Sequence, residues 1–248
     1  MKNIYLGLKF MFSYFSILPV HFDKKDDLLK ASVLGAMLFF LPFGGLILGG
    51  ISVTLYTILE ALGWYAGLIA AVCYMMLYGF IHTEAIMDVA DALYAKHSGK
   101  DAYTVIKEPT VGAMGVLWAV SMMLVKVAGI VFLFRVDGWD YFLAILLVSR
   151  LGLLLLFYTQ TFRSSFITQL QEAFKPKYFI TSYILFSMIG FIIVGWHFFI
   201  LFGFGLMVSY LLAKRLKKAL GFINGDALGT TLESVEILLF IGVALLWL

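Results

Sequence analysis

The chain has 248 residues, of which 62% are hydrophobic, only 13% are charged and 24 are Phe. With a mean hydropathy of +0.99 this is greasier than a water-soluble core requires, so a soluble globular protein is excluded and no nucleic-acid partner is expected. The net charge of +3 says little alone, because it hides an asymmetry in where the basic residues fall.

In chain order, MKNIYLGLKFMFSYFSILPV has the basic start and apolar middle of a signal peptide. Lys9 breaks its apolar stretch and no small-residue cleavage site follows, so a retained interfacial or partly inserted helix ending near Pro19 is expected. Residues 31–59 carry no charge and neither do residues 61–81. The single cysteine, Cys73, lies in the second run; it excludes an internal disulfide and a Cys-based metal site and reads as a small packing residue. Residues 109–134 are interrupted only by Lys126 and residues 141–162 only by Arg150. Residues 178–213 form a charge-free run of 36, enough for two short helices with a turn at Gly195-Trp196-His197. The last run, 237–248, is short and has to borrow length from the Glu233 and Glu236 turn before it. The length rule for helices in hydrocarbon then gives about seven spans, an all-α polytopic membrane bundle forming one domain over residues 1–248 and surrounded by membrane lipid.

Basic residues orient the spans. Lys24, Lys25 and Lys30 precede the first span; Lys96, Lys100 and Lys107 follow the second; Arg163, Lys175 and Lys177 follow the fourth; Lys214, Arg215, Lys217 and Lys218 follow the sixth. Only Arg135 is basic in the opposite loops, so the positive-inside rule puts all four segments in the cytoplasm. Two polar clusters then reach that face. One is 82-HTEAIMDVADAL-93 with 107-KEPTVGAMG-115, and the other is 221-GFINGDALGTTLESVE-236.

At about 100° per residue, Glu84, Asp88 and Asp91 lie within roughly 60° of one another on a helix. Stacked carboxylates repel, and a divalent cation removes that penalty; Mg²⁺ in particular accepts a few carboxylates, keeps waters and bridges to phosphate oxygens. The alternative is a solvated helix face. Against it, Glu84 is separated from the end of an apolar run by only two residues, and acids at membrane depth are costly and functional by default. His82 points away from the acid face and is open to two readings, a ligand or general base and an interfacial residue marking the helix end.

In the second cluster, Gly221, Gly225 and Gly229 at spacing four permit close backbone approach, and Asn224-Gly225-Asp226 is a turn signal whose amides and carboxylate suit a ligand or metal. Glu233 and Glu236 follow where the last span is expected to enter the bilayer; local pairing with Ser234 or Lys218 is the competing reading. Lys107 and Glu108 precede Pro109, and a lysine beside carboxylates can hold a phosphate. Arg150, next to Ser149 and mid-span, needs an anionic partner, either a carboxylate of another helix or a bound phosphate. Lys126 is expected to snorkel to the interface.

These residues resemble the cobalamin synthases, the adenosylcobinamide-GDP ribazoletransferases of vitamin B12 assembly. The family's H-x-D-G-L-x-D-x-x-D is matched by His82, Glu84, Ala85, Ile86, Asp88 and Asp91, and its K-D-x-x-x-G-x-x-G by Lys107, Glu108, Gly112 and Gly115. Its Ser-Arg pair is Ser149 and Arg150, and its G-D-x-x-G-A-x-x-E-x-x-E is Gly225, Asp226, Gly229, Thr230, Glu233 and Glu236; Leu18-Pro19 is similar to its N-terminal Leu-Pro. Glu84, Ala85 and Glu108 depart from the pattern. The resemblance implies Mg²⁺-dependent transfer of the adenosylcobinamide phosphate group to α-ribazole or its 5′-phosphate, with release of GMP, at the cytoplasmic face of the bacterial inner membrane. On that reading Glu84, Asp88 and Asp91 bind Mg²⁺, Asp226 completes the site or acts as base, and His82 joins the catalytic set. Lys107 and Arg150 neutralise phosphate, Glu233 and Glu236 hold a second metal or the ribose, and Glu108, Asn224 and Gly225 contact substrate. A homo-oligomer is compatible with the family. Two rivals stay open: a CDP-alcohol phosphotransferase-like enzyme, whose Asp-Gly and Ala-Arg pairs this chain lacks, and a cation-coupled transporter, which would place acids near the midplane of two repeated halves.

Overall fold

Glycine and proline cut the long apolar runs into the helices of the computed structural model, which describes residues 2–247. Helix α1 (Lys2–Phe15) packs along α2 (Ala31–Phe39). The charge-free run 31–59 is two helices, because α3 (Leu41–Ile58) restarts after Phe40 with Pro42 in its first turn, where the missing N–H costs nothing. A 3₁₀ turn at Glu60–Leu62 leads into α4 (Trp64–Leu77). Gly79 and Phe80 then both take positive φ, 65° and 54°, and the chain turns by 78° into α5 (Ile81–His97). Gly79 adopts that conformation freely, whereas Phe80 is held in it by its surroundings.

Then follow α6 (Ala102–Val105), α7 (Ala113–Arg135), α8 (Trp139–Thr159), α9 (Ser165–Ala173), α10 (Pro176–Val194), α11 (His197–Leu220) and α12 (Gly225–Leu246). No strand occurs among the described residues. Six helices, α3, α7, α8, α10, α11 and α12, are long and apolar enough to cross a membrane, and the bent pair α4–α5 makes seven. This is the all-α polytopic bundle expected from the apolar runs, and Gly195-Trp196 forms the expected turn between α10 and α11. One expectation is corrected. Helix α12 is 22 residues long, so Glu233 and Glu236 lie in its middle and not at its entry.

The most enclosed helix is α8, which packs against α3, α10, α11 and α12 and buries Phe142, Leu146, Leu154 and Leu156 completely. At one end of the bundle Tyr141 Oη and His197 Nδ1 are 2.5 Å apart, and the His197 ring stacks on Trp247 at 4.9 Å. At the other end the basic segments meet. Lys96 Nζ donates to the Ala219 carbonyl at 2.5 Å, Lys217 Nζ to Thr161 Oγ1 at 3.0 Å, and the Arg163 amide to the Ile223 carbonyl at 2.8 Å. Helix α9 lies against α2 at the same end, where the Ala173 carbonyl and Tyr178 ring crowd Gly35.

Candidate functional site

Both polar clusters belong to that basic end. Helix α5 carries Glu84, which is exposed, and Asp88 and Asp91, which are half-buried; Asp226 sits half-buried in the first turn of α12. The negative charges of Asp226, Glu84 and Asp91 act on Asp88, and that of Glu84 on Asp226, so segments more than 130 residues apart in sequence share one electrostatic environment. Asn224 caps α12 by accepting the Ala227 amide at 3.0 Å, and its Nδ2 donates to Asp226 Oδ2 at 2.7 Å, which fixes that carboxylate at the helix start. Among the described residues none of these four acids has a Lys or Arg at ion-pair distance; the pairs formed are Lys2–Asp26, Lys126 with Glu233 and Glu236, and Arg150–Glu236.

Two cavities flank this cluster. Glu84 and Asp88 line one of about 540 Å³, together with Thr83, Glu108, Pro109 and Thr110. Asp226 lines the other, of about 340 Å³, with Tyr103, Lys107, Arg163, Ser164 and Asn224. In it Lys107 Nζ lies 4.2 Å and the Arg163 guanidinium 3.6 Å from the Tyr103 ring centre. Lys107, and after it Arg163, hold the Tyr103 hydroxyl below the ordinary phenol range. Arg163 and Tyr103 were not expected as site residues. Arg163 served only as a topology marker, although an arginine directly before Ser164-Ser165 at a helix start is a signal that would have found it.

Asp91 has a structural task. Its carboxylate accepts the Gly112 amide at 2.6 Å and the Gly115 amide at 2.7 Å, so it caps α7 from another helix. The glycines are required by that clasp: a Cβ on Gly115 would come within 2.5 Å of Asp91 Oδ2 and 2.7 Å of the Met87 carbonyl. Asp91→Asn would turn an amide donor toward one of these N–H groups. We expect it to lower stability by about 1–3 kcal/mol, the cost of an unsatisfied polar group, measurable as a lower melting temperature in detergent, with Gly115→Ala showing a similar loss through overpacking.

Three other expected substrate contacts are turned inward. Arg150 Nη1 pairs with Glu236 Oε1 and donates to Ser149 Oγ at 2.9 Å, while Nη2 donates to Tyr74 Oη at 2.8 Å. Lys126, expected to snorkel, is instead wholly buried, with its Nζ 2.6 Å from both Glu233 Oε2 and Glu236 Oε2 and about 5 Å from the Tyr74 and Tyr78 rings. The reason is placement: Lys126 is the 14th of 23 residues in α7, too deep to reach an interface, and two carboxylates balance two cations there. None of Arg150, Glu233 and Glu236 lines either charged cavity. Of the two partners open to Arg150, the structure supplies the carboxylate of another helix, and Glu233 and Glu236 pair across the bundle and not locally with Ser234 or Lys218.

His82 is buried between the Phe15 and Tyr78 rings and lines a mostly apolar cavity of about 120 Å³, which Asp226 and Gly225 also border. The adjacent Ala85 packs its methyl toward Gly229, and Thr230 Oγ1 donates to its carbonyl at 3.0 Å. The alanine therefore meets α12. Glu108 keeps a place in the acid-lined cavity.

Hard oxygen donors without countercharge suit Mg²⁺ or another hard divalent cation. Among the described residues no three His, Cys, Asp or Glu side chains stand in a metal-holding group. Mg²⁺ retains most of its waters and takes one or two carboxylates directly, so a pair such as Glu84 and Asp88, which line one cavity, fits it.

Apolar spans with opposite charges gathered in cavities at one end define a polytopic membrane protein with a polar working face. The model of the family described as cobalamin-5-phosphate synthase matches residues 7–244. The chain belongs to that family and is an enzyme of cobalamin synthesis. It is 29% identical over 266 aligned residues to an adenosylcobinamide-GDP ribazoletransferase of Clostridium perfringens, covering 99% of each chain. Proteins of the same name from Brevibacillus brevis (28% identical, 75% of this chain and 77% of that one) and Chlorobaculum tepidum (26%, 85% and 86%) are also similar. No solved structure matches.

Proposed function

We propose that this protein transfers the adenosylcobinamide phosphate group from adenosylcobinamide-GDP to α-ribazole or α-ribazole 5′-phosphate, releasing GMP. The observation that carries the reading is the meeting of Glu84 and Asp88 with Asp226, without countercharge, beside Lys107. The relatives' shared name supports the substrates. In the reaction a ribose hydroxyl of the acceptor forms a bond to the phosphorus next to cobinamide, the bond from that phosphorus to the bridging oxygen breaks, and GMP leaves with that oxygen. Asp226, oriented by Asn224, takes the hydroxyl proton. Lys107 faces the departing phosphate, and Glu84 and Asp88 would hold Mg²⁺. When bound, that cation would supply positive charge to the diphosphate oxygens and the leaving GMP. The Lys- and Arg-rich segments gathered around this end support a cytoplasmic orientation in the bacterial inner membrane.

Purified protein given labelled adenosylcobinamide-GDP and α-ribazole tests this directly. GMP release is expected to need the acceptor and to stop when EDTA removes the divalent cation. Release without the acceptor, or no release with both substrates and Mg²⁺, overturns the assignment. Ion-driven accumulation in vesicles without chemistry would favour the transporter reading.

A further inference from the structure

With Arg150 paired inside the bundle, Arg163 is the guanidinium that lines the charged cavity beside Asp226. We infer that Arg163, Lys107 and Tyr103 form a phosphate-binding pocket that takes the phosphate of a nucleotide; the inference rests on the transferase reading above and adds a subsite to it. The cavity, about 340 Å³, is large enough for a phosphorylated ribose. Two cations line it, and among the described residues neither has a carboxylate at ion-pair distance. Two like charges held against one aromatic ring repel each other, and an anion between them is the partner that removes the repulsion. Arg163 is also braced, since its guanidinium lies 5.7 Å from the Phe222 ring and its amide is bonded to the Ile223 carbonyl. That fixes its position next to Asn224 and Asp226. The planar, bidentate donor set of an arginine matches phosphate oxygens. Ser164 and Asn224, which start α9 and α12, add amide-rich helix ends to the same wall. Asp226 lines this pocket and its charge acts on Asp88 of the carboxylate cluster, so a phosphate held here lies beside the proposed transfer site.

Two phosphates have this chemistry, the nucleotide end of the donor and the 5′-phosphate of the acceptor. The full-length protein in detergent, titrated calorimetrically with GDP and separately with α-ribazole 5′-phosphate in EDTA, tests the pocket without turnover. Arg163→Ala is expected to weaken one or both by about tenfold or more, the loss of a charge-assisted contact, and Arg163→Lys to recover part of it. The side chain is exposed and the Ile223 contact is made by the backbone, so an unchanged melting temperature is expected. In turnover, a raised KM for α-ribazole 5′-phosphate with that of α-ribazole unchanged identifies the acceptor phosphate. A raised KM for the donor with either acceptor identifies the nucleotide end. Unchanged probe binding and unchanged KM values in Arg163→Ala overturn the pocket while the transferase reading stands. Failure of the wild type to release GMP overturns that reading, and probe binding lost in Arg163→Ala would still establish the phosphate site.

Discussion

Asp88→Asn is expected to cut GMP release by about a thousandfold, the scale of losing a group that holds or stabilises charge in a transfer step, while the protein stays folded in the membrane. Among the described residues the side chain of Asp88 takes part in no hydrogen bond or ion pair that would be lost, and its neighbours Asp226, Glu84 and Asp91 all repel its charge. Neutralising it removes repulsion, so a melting temperature at or above that of the wild type should accompany the loss of activity. Near-normal turnover would refute the role given to Asp88. The contrast with Asp91→Asn is the sharper part of the test, because the two aspartates lie three positions apart on α5, yet only Asp91 is bonded to the backbone of α7.

Lys126→Met is expected to destabilise the protein by about 3–5 kcal/mol, as removal of one partner from a buried ion pair does. The substitution nearly preserves shape. It leaves Glu233, which is 2% exposed, and Glu236, which is fully buried, facing Arg150 as the one remaining cation of the group. Glu233 Oε1 already lacks a hydrogen-bond partner, so the methionine strands that carboxylate entirely. Adding Glu233→Gln should restore much of the lost stability by returning the group to one cation and one anion. A thermal melt of the single and double variants in detergent measures both terms, and a single variant that melts with the wild type would show the lysine to be dispensable.

How far the sequence carried depends on how far apart the interacting residues are along the chain. Helices were readable from apolar run length, and the acid row from the Glu84, Asp88 and Asp91 spacing, because both are local. The common end of the two polar clusters followed from the placement of basic residues, which obeys one rule on each side of the bilayer. Pairing across the bundle was not readable. Lys126 meets Glu233 over 107 positions and Arg150 meets Glu236 over 86, and nothing local separates a lysine that reaches the interface from one that meets two glutamates inside. Gly112 and Gly115 were visible as a motif, but their reason, a carboxylate 21 and 24 positions earlier, was not. Pro42 and the Gly79-Phe80 pair marked breaks in apolar runs that length alone read as unbroken spans.

Helix α7 is fastened to both acid-bearing elements by charged side chains. Asp91 fastens α5 to the first turn of α7, and Lys126, 11 residues after Gly115 or about 16 Å along the axis, fastens α12 to its middle. Helix α7 is thereby a ruler with two rivets, and together with the direct packing of α5 on α12 through Ala85, Gly229 and Thr230 it sets the gap between Asp88 and Asp226. Inserting or deleting a single residue between those anchors would rotate one relative to the other by about 100° and pull the two halves of the cluster out of register, even though no residue of either acid segment had changed.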